Sequence, residues 1–475
     1  MNTRKSNGQA RPSPGLDQTQ IQTQTQTQTQ TQKQARKAAL GSFVGAVVDW
    51  YDFLLYGITA ALVFNSQFFP GDNPMLGTLA AFGTFGVGFL FRPLGGIVFG
   101  HFGDRLGRKR MLVITVVMMG VSTALIGLLP GYASIGWYAP LALVSLRALQ
   151  GFAVGGEWGG AALMAVESAP KGRKAFYSSG VQVGYGVGLV LATGIVSILT
   201  HTLDNQAFLS WGWRIPFLLS IVLVLVALWI RTTMEESQEF IRSVANQKKS
   251  KERLPVLTAL RNNPKSFLLI IALRMAEMFT MYIVTAFALS YSTKNLGMSR
   301  DLFLNIGLLV GAVSCFTIPL FALAADRIGQ KRVYVTGALI GLASAIPFFL
   351  AMEARSVLWI VVFSVLLANI AHDMVVSVQQ PLFTELFGAE YRYSGAGVGY
   401  QFASVVCGGF TPFIATALLG IDGSWHAVAA YLAGGCLVSV VVSVRMKMAG
   451  TEPSTVIAAK SVHVSQTPLV KSSRV

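Results

Sequence analysis

The chain has 475 residues, of which 53% are hydrophobic and only 12% are charged, and its mean hydropathy is +0.56. This composition excludes an ordinary soluble domain and indicates a protein that crosses a membrane several times. The formal net charge of +16 does not indicate a nucleic-acid partner, because the basic residues are concentrated in the tails and in alternate connections between apolar stretches.

Twelve apolar stretches follow a polar N-terminal segment, and each has the ~20-residue length that crosses the hydrocarbon layer of a bilayer. We predict membrane spans at 38–63, 78–100, 111–129, 138–166, 176–200, 213–231, 265–292, 302–325, 333–352, 356–380, 394–419 and 424–446. The predicted class is an all-α integral membrane protein, with its twelve transmembrane helices arranged in two pseudo-symmetric six-helix bundles.

The spans divide the chain into two bundles, over residues 38–231 and 265–446, joined by a charged cytoplasmic connector over 232–264. The tails at 1–37 and 447–475 contain few residues that a fold could bury, so we expect both to be disordered. The first apolar stretch is a full-length span, and no cleavable signal peptide is expected before it.

The connections on one side of the predicted membrane are almost free of basic residues and carry only Lys294, Arg300 and Arg355. The positive-inside rule then places the basic connections and both termini in the cytoplasm. The three cysteines have no metal or redox spacing, and we expect neither a metal nor another cofactor.

Five acidic side chains lie deep inside the predicted spans. They occur only in the first, fourth, seventh and tenth spans, as Asp49, Asp52, Glu157, Glu277 and Asp373. A carboxylate within hydrocarbon is costly unless it faces a partner or water. We therefore predict that these four helices share one polar cavity, which is typical of a transporter whose site lies near the membrane midplane.

A carrier of an organic anion needs a fixed cation and a carboxylate that can gain and lose a proton. Arg147 is the candidate cation, because a guanidinium group binds a carboxylate bidentately. Asp49, Asp52 or Glu157 is the candidate proton carrier. In the alternative interpretation, Arg147 and Glu157 are held in structural ion pairs, and Arg92 belongs either to the solute site or to a gate.

The seventh and tenth spans leave further alternatives open. Arg274 and Glu277 are three residues apart and either satisfy each other or contribute to the site. His372 and Asp373 form either a proton relay, since imidazole titrates near pH ~6.5, or a hydrogen-bonded packing pair.

Two motifs recur in equivalent positions of the two halves. Gly103 to Arg110 follows the second span, and Ala325 to Arg332 follows the eighth with a similar sequence. A second echo follows the fourth and tenth spans, where Glu167 precedes Arg173 and Glu385 precedes Arg392. The chain is therefore predicted to be a duplicated unit, whose two bundles rock about a central site.

These motifs resemble those of the major facilitator superfamily, whose signature Gly-x-x-x-Asp-Arg-x-Gly-Arg-Lys-Arg runs here from Gly100 to Arg110. Other segments are similar to the metabolite:proton symporter family, whose members carry carboxylic acids or zwitterionic osmolytes. These segments are Val48 to Phe53, Gln150 to Trp158, Trp211 to Phe217 and Arg392 to Gly395. The similarity covers about residues 36–447, and within the family the chain looks most like the shikimate carriers, through Ala368 to Val376 and Ile283 to Leu289.

The resemblance implies a monomer of the bacterial cytoplasmic membrane that takes up shikimate together with protons, driven by the proton gradient without a cofactor. Citrate, a dicarboxylate, or a betaine or proline-type osmolyte remains the alternative substrate. Neither an integral-membrane enzyme nor a membrane sensor is supported, because no catalytic motif and no room for a signalling domain is found.

Shikimate carries three hydroxyl groups besides its carboxylate, and such a ligand needs neutral hydrogen-bond partners. The candidates are Gln150, Gln182, Tyr185, Tyr282, Asn369, Gln379, Tyr400 and Gln401. The resemblance also implies charge pairs that latch the two halves at the cytoplasmic mouth. The candidate gating residues are Asp104, Arg105, Arg108, Glu167, Arg173, Asp326, Arg327, Glu385 and Arg392.

Overall fold

The structure is a computed structural model that describes residues 40–71, 73–106, 108–157, 173–232, 261, 264–386 and 392–446. The two predicted tails, most of the predicted connector and Glu167 lie outside these residues. Within them, the regular secondary structure is entirely helical.

Twelve long helices, labelled α1 to α12 in chain order, make up the described part of the chain. They are α1 Leu40–Phe68, α2 Pro74–Leu106, α3 Arg108–Leu128, α4 Tyr138–Gly155, α5 Lys174–Thr202, α6 Arg214–Thr232, α7 Pro264–Lys294, α8 Arg300–Ile328, α9 Gln330–Glu353, α10 Val357–Phe383, α11 Ala396–Ile421 and α12 His426–Arg445. Eleven of them are long and apolar enough to span a membrane. The exception is α4, whose predicted span of 138–166 is described only as far as Glu157.

Apart from α4, whose predicted end lies outside the described residues, the largest difference from the predicted spans is at the end of α2. The prediction ended this span at residue 100, where the apolar run ends, but the helix continues to Leu106. The first residues of the signature motif, including Asp104, therefore lie on a helix rather than in a loop. Hydropathy identifies only the part of a helix that contacts lipid. It therefore underestimates the length of a helix that projects beyond the bilayer.

The two halves meet mainly along two helix pairs, α2 with α11 and α5 with α8, and α5 also contacts α10. A Cβ atom on Gly186 of α5 would lie 2.7 Å from the carbonyl oxygen of Gly311 in α8, and the reverse contact is 2.8 Å. The backbones can approach this closely because both positions are glycine, as in many membrane helix interfaces.

The name basic face is used below for one end of the bundle, where the basic connections of the sequence lie. At this end α2 terminates, and α5 and α9 start. The other end is the opposite face. The predicted orientation places the basic face in the cytoplasm.

Several helices depart from regular α geometry within the bundle. Wider π-helical turns occur at Ala60–Phe64 in α1, Ile283–Phe287 in α7, Leu366–Ala371 in α10 and Ser404–Gly409 in α11. Such turns occur frequently at functional sites. The turn in α10 contains Asn369 and directly precedes His372, so it sets the direction in which these side chains point.

Candidate functional site

A buried polar cluster joins α1, α3 and α4 near the middle of the first half. Oδ1 of Asp52 accepts hydrogen bonds from Oγ1 of Thr123 at 2.5 Å and from Nε2 of Gln150 at 2.8 Å. Nη1 of Arg147 donates to Oε1 of Gln150 at 3.1 Å and lies 3.4 Å from Oδ2 of Asp52. The structure therefore brings together the predicted cation and one of the predicted proton carriers.

The guanidinium group of Arg147 is enclosed by aromatic rings. Its Cζ atom lies 3.9 Å from the ring centroid of Phe53, 4.0 Å from that of Tyr56 and 5.2 Å from that of Phe85. Its Nε and Nη2 atoms are buried and have no hydrogen-bond partner among the described residues. Buried charged donors rarely lack acceptors, so this edge of the guanidinium is suited to an incoming anion.

Arg274 in the second half contrasts with Arg147. The same edge, Nε and Nη2, binds both carboxylate oxygens of Glu277 at 3.0 Å, and Nη1 donates to the backbone oxygen of Tyr400 at 3.1 Å and to Ser404. Nε2 of Gln379 donates to Glu277 at 2.5 Å. The mutual pairing that the sequence left open is therefore present, and Arg274 has no free edge for a ligand.

A second polar cluster in this half surrounds Asp373. Its carboxylate accepts hydrogen bonds from Thr317 at 2.5 Å and Asn369 at 3.5 Å, and it lies 2.7 Å from Nδ1 of His372. Nδ2 of Asn369 also donates to Ser314 at 2.9 Å. Asp373 is thus held by several donors besides His372.

Polar atoms from both halves face one another between these clusters. The ring of Tyr185 on α5 lies 4.8 Å from that of His372 on α10, and the ring of Tyr282 on α7 lies 5.3 Å from that of Phe85 on α2. Several buried atoms in this region lack partners in the described part of the chain. They are Nε2 of Gln182, the hydroxyls of Tyr185 and Tyr282, and Oε1 or Oδ1 of Asn369, Gln379 and Gln401.

Glu157 departs from the prediction of one shared cavity. It lies in a turn beyond the end of α4, and its carboxylate pairs with Arg231 near the basic end of α6. Arg231 also donates to the backbone oxygen of Leu112 at 2.6 Å. Of the two interpretations left open for Glu157, a proton carrier or a member of a structural ion pair, the structure has the ion pair, in which a cation from the end of α6 neutralises the carboxylate.

Asp49 and Arg92 lie between the Arg147 cluster and the basic face. Asp49 is within electrostatic range of Arg92 and Arg231, and its Oδ1 atom is buried with no partner that the described residues supply. Arg92 packs against the rings of Phe53 and Phe89, with its Cζ atom 3.9 and 4.0 Å from their centroids.

One predicted gating contact joins the two halves at the basic face. Asp326, near the end of α8, accepts hydrogen bonds from the backbone amides of Ala175 and Phe176 at 3.1 and 3.0 Å, and so caps the start of α5. Arg173 is within electrostatic range of Asp326, and Arg327 is exposed nearby. The predicted gating side chains outside the described part are Asp104, Arg105, Arg108, Glu167, Glu385 and Arg392.

Contacts between the halves also occur at the opposite face. Nζ of Lys294 at the end of α7 donates to Thr78 of α2 at 2.9 Å. Nη1 of Arg300, the first residue of α8, donates to Asn205 beyond α5 at 2.9 Å. With Asp326 on the basic face, the described structure has bonds across the halves at both ends.

Sequence reasoning missed several members of the site. Thr123 lies on α3, and the sequence carries no signal for this helix because its predicted span contains no charged residue. Both side-chain atoms of Gln380 are buried without a partner in the described structure, and its position beside Gln379 was the available signal. Phe53 was quoted only within a motif, because nothing in a sequence indicates which rings face a cation.

Comparisons with known proteins agree with this architecture. Residues 39–399 and 275–472 match the model of the Major Facilitator Superfamily. The chain is 68% identical to the shikimate transporter of Escherichia coli (strain K12), over 91% of this chain and 99% of that protein. It is 32% identical to the proline/betaine transporter of Salmonella typhimurium, over 88% of this chain and 84% of that protein. Among solved structures, a D-xylose-proton symporter superimposes with a TM-score of 0.68 at 19% identity, covering 88% of this chain and 99% of that chain.

The fold and the enclosed polar site define a membrane carrier rather than an enzyme. The chain belongs to the major facilitator superfamily. It is a multi-pass protein of the bacterial inner membrane.

Proposed function

We propose that this carrier takes up shikimate together with protons by alternating access. The observation that carries the proposal is the unoccupied edge of Arg147, whose Nε and Nη2 donors are buried in an aromatic enclosure. The high identity to a shikimate transporter supports the choice of substrate. The substrate carboxylate would occupy this edge in the bidentate geometry that Arg274 makes with Glu277.

The rest of the substrate extends toward the second half. A ring with three hydroxyl groups needs donors and acceptors that the protein has not already satisfied. The unpartnered atoms of Gln182, Tyr185 and Tyr282, and those on α10 and α11, supply such groups within the described structure. Since these side chains come from both halves, substrate binding would draw the halves together.

Proton coupling follows from the charges around Arg147. One guanidinium would hold two carboxylates, those of Asp52 and the substrate, inside a poorly solvated region. The second negative charge is unfavourable there unless a proton neutralises one of the two. We therefore assign the coupled proton to Asp52, which contacts Arg147, rather than to Glu157, which pairs with Arg231.

Alternating access would require the contacts between the halves to break one face at a time. Asp326 would hold the basic face closed while the cavity faces the opposite side. Lys294 and Arg300 would hold the opposite face closed after substrate enters. We propose that the basic face and both termini are cytoplasmic and that one chain is the working unit.

Uptake by liposomes that contain only this protein tests the proposal. An inwardly directed proton gradient, with the outside more acidic, should drive accumulation of radiolabelled shikimate. A protonophore should abolish this accumulation. Unlabelled citrate, glycine betaine and proline should compete poorly. Accumulation of betaine or citrate while shikimate is ignored would overturn the substrate assignment, and accumulation that survives the protonophore would overturn proton coupling.

A further inference from the structure

Two arginines share one aromatic ring in the first half of the bundle. The Cζ atoms of Arg147 and Arg92 each lie 3.9 Å from the ring centroid of Phe53. The two guanidinium groups are therefore separated by no more than twice that distance. Two buried cations so close together repel each other unless anions occupy the space around them.

The two arginines lie at different depths in the bundle. Gly151 of α4 packs against the backbone of Gly88, and Gly155 packs against the backbone of Arg92. Arg147 lies one turn before Gly151 on the same helix. At 1.5 Å per residue, the backbone of Arg92 is therefore about 12 Å nearer the basic face than that of Arg147.

Arg92 has the features of an incomplete anion site. It is only 7% exposed, it is packed between Phe53 and Phe89, and its Nε atom has no acceptor in the described part of the protein. Asp49 is within electrostatic range but makes no hydrogen bond to this nitrogen. A buried guanidinium donor without an acceptor points to a ligand that is present for part of the cycle.

We infer that Arg92 is a second binding site for the substrate carboxylate, which passes to it from Arg147 on the way to the basic face. This inference rests on the proposed function and adds a step to it. Phe53 forms the partition between the two sites and contacts both cations. The carboxylate therefore never has to leave one guanidinium for a purely apolar region, which would be costly in a poorly solvated interior.

The neighbours of Arg92 also suit release. Asp49 lies close enough to repel an arriving carboxylate, whereas in the proposed mechanism a proton neutralises Asp52 when the substrate binds Arg147, so the net attraction is weaker at Arg92 than at Arg147. A carrier needs such a weak final site, because a substrate bound tightly at its exit would leave slowly. Arg147 would then set affinity, and Arg92 would set the rate of net transport.

The test compares Arg92→Gln, Arg92→Lys and Arg147→Lys with the wild type, using the intact purified protein. Equilibrium binding of radiolabelled shikimate is measured in detergent, and net uptake and exchange are measured in liposomes. Arg92→Gln should bind shikimate within about threefold of wild type yet slow net uptake about tenfold or more, the scale of one lost charge-assisted interaction. Arg92→Lys should recover part of the rate, and Arg147→Lys should weaken binding itself.

Two results would overturn the second site. If Arg92→Gln takes up shikimate at the wild-type rate, Arg92 does not bind the substrate during transport. If both Arg92 variants lose as much binding as Arg147→Lys, the two arginines form a single site. Retained binding also shows that a variant is folded. Failure of the wild type to transport shikimate would instead contradict the proposed function.

Discussion

Nη1 of Arg147 approaches Asp52 through a single contact of 3.4 Å, although both side chains are almost completely buried. Such a contact is too long to satisfy a guanidinium, and the Nε and Nη2 edge of Arg147 has no partner in the described structure. The pair is therefore arranged to be shared with a third group. In the proposed mechanism that group is the substrate carboxylate, and its arrival makes a proton on Asp52 favourable.

Asp52→Asn should separate exchange from accumulation. The amide keeps most of the volume of the carboxylate but cannot take up a proton or repel the substrate. We expect exchange of internal for external shikimate to continue, while accumulation driven by a pH gradient falls about tenfold or more. Both are measured in liposomes with radiolabelled substrate.

Asp49→Asn is the companion variant for this prediction, because Asp49 lies on the same helix one turn away without a contact to Arg147. It should keep accumulation coupled to the pH gradient, although the loss of its charge beside Arg92 should slow net uptake. Gradient-driven accumulation that survives Asp52→Asn but fails in Asp49→Asn would transfer the coupling role to Asp49.

Glu277→Gln should destabilise the protein more than it alters the chemistry of the site. The substitution removes the negative charge and one of the two oxygens that bind the buried guanidinium of Arg274. Breaking a buried ion pair in this way costs about 3–5 kcal/mol. The apparent melting temperature in detergent should fall clearly. The double variant Arg274→Met with Glu277→Met should recover part of this loss, because no buried charge is left unpaired. A single variant as stable as the wild type would show that the pair contributes little.

Asp326→Ala should weaken closure of the basic face, because it removes both carboxylate oxygens that accept from the first amides of α5. A side-chain cap of a helix contributes about 0.5–2 kcal/mol, so its loss should shift the open population roughly 2- to 30-fold. Cys315 of α8 packs against Gly186 of α5 between the halves. In a variant that lacks Cys407 and Cys436, maleimide should label Cys315 faster when Asp326 is replaced.

Asp301→Ala provides the control for this labelling experiment, because Asp301 lies at the other end of α8. It should leave the rate unchanged. Equal labelling rates in wild type and Asp326→Ala would contradict a latch at this residue.

His372→Gln should leave gradient-driven accumulation within about twofold of wild type. Asp373 retains donors from Thr317 and Asn369 when the imidazole is removed, and the glutamine amide can itself donate a hydrogen bond in place of the imidazole. Transport is measured across pH 5.5 to 7.5, the range around the ordinary imidazole titration. A loss of accumulation confined to His372→Gln would instead establish the relay that the sequence left open.

The sequence predicted the fold well because membrane spans depend on long apolar runs, which a chain displays directly. It also identified Asp52, Arg147 and Gln150 as candidate site residues on two different helices, since charged and polar side chains within apolar spans are visible in the sequence. It left open whether Arg274 pairs with Glu277 and whether Arg147 is held in an ion pair, because the partners of a guanidinium depend on contacts between helices. The pairing of Glu157 with Arg231 was missed for the same reason, as the two residues are 74 positions apart.

The contacts between the two halves were also predicted only in part. Asp326 was predicted through a repeated motif, but its partners are backbone amides of Ala175 and Phe176, which no side-chain pattern reveals. Lys294 and Arg300 were read only as markers of topology. Their contacts with Thr78 and Asn205 depend on how closely the two halves approach.

The most direct test of the central claim is equilibrium binding of shikimate and of its methyl ester to the wild type and to Arg147→Lys, with exposed Arg445→Lys as control. If Arg147 holds the substrate carboxylate, esterification should weaken wild-type binding about 10- to 100-fold, the scale of a charged hydrogen-bonded pair. The same change should have little further effect in Arg147→Lys, because the two losses concern one interaction. An ester that binds the wild type as tightly as the acid, or that loses equal affinity in both proteins, would contradict the claim.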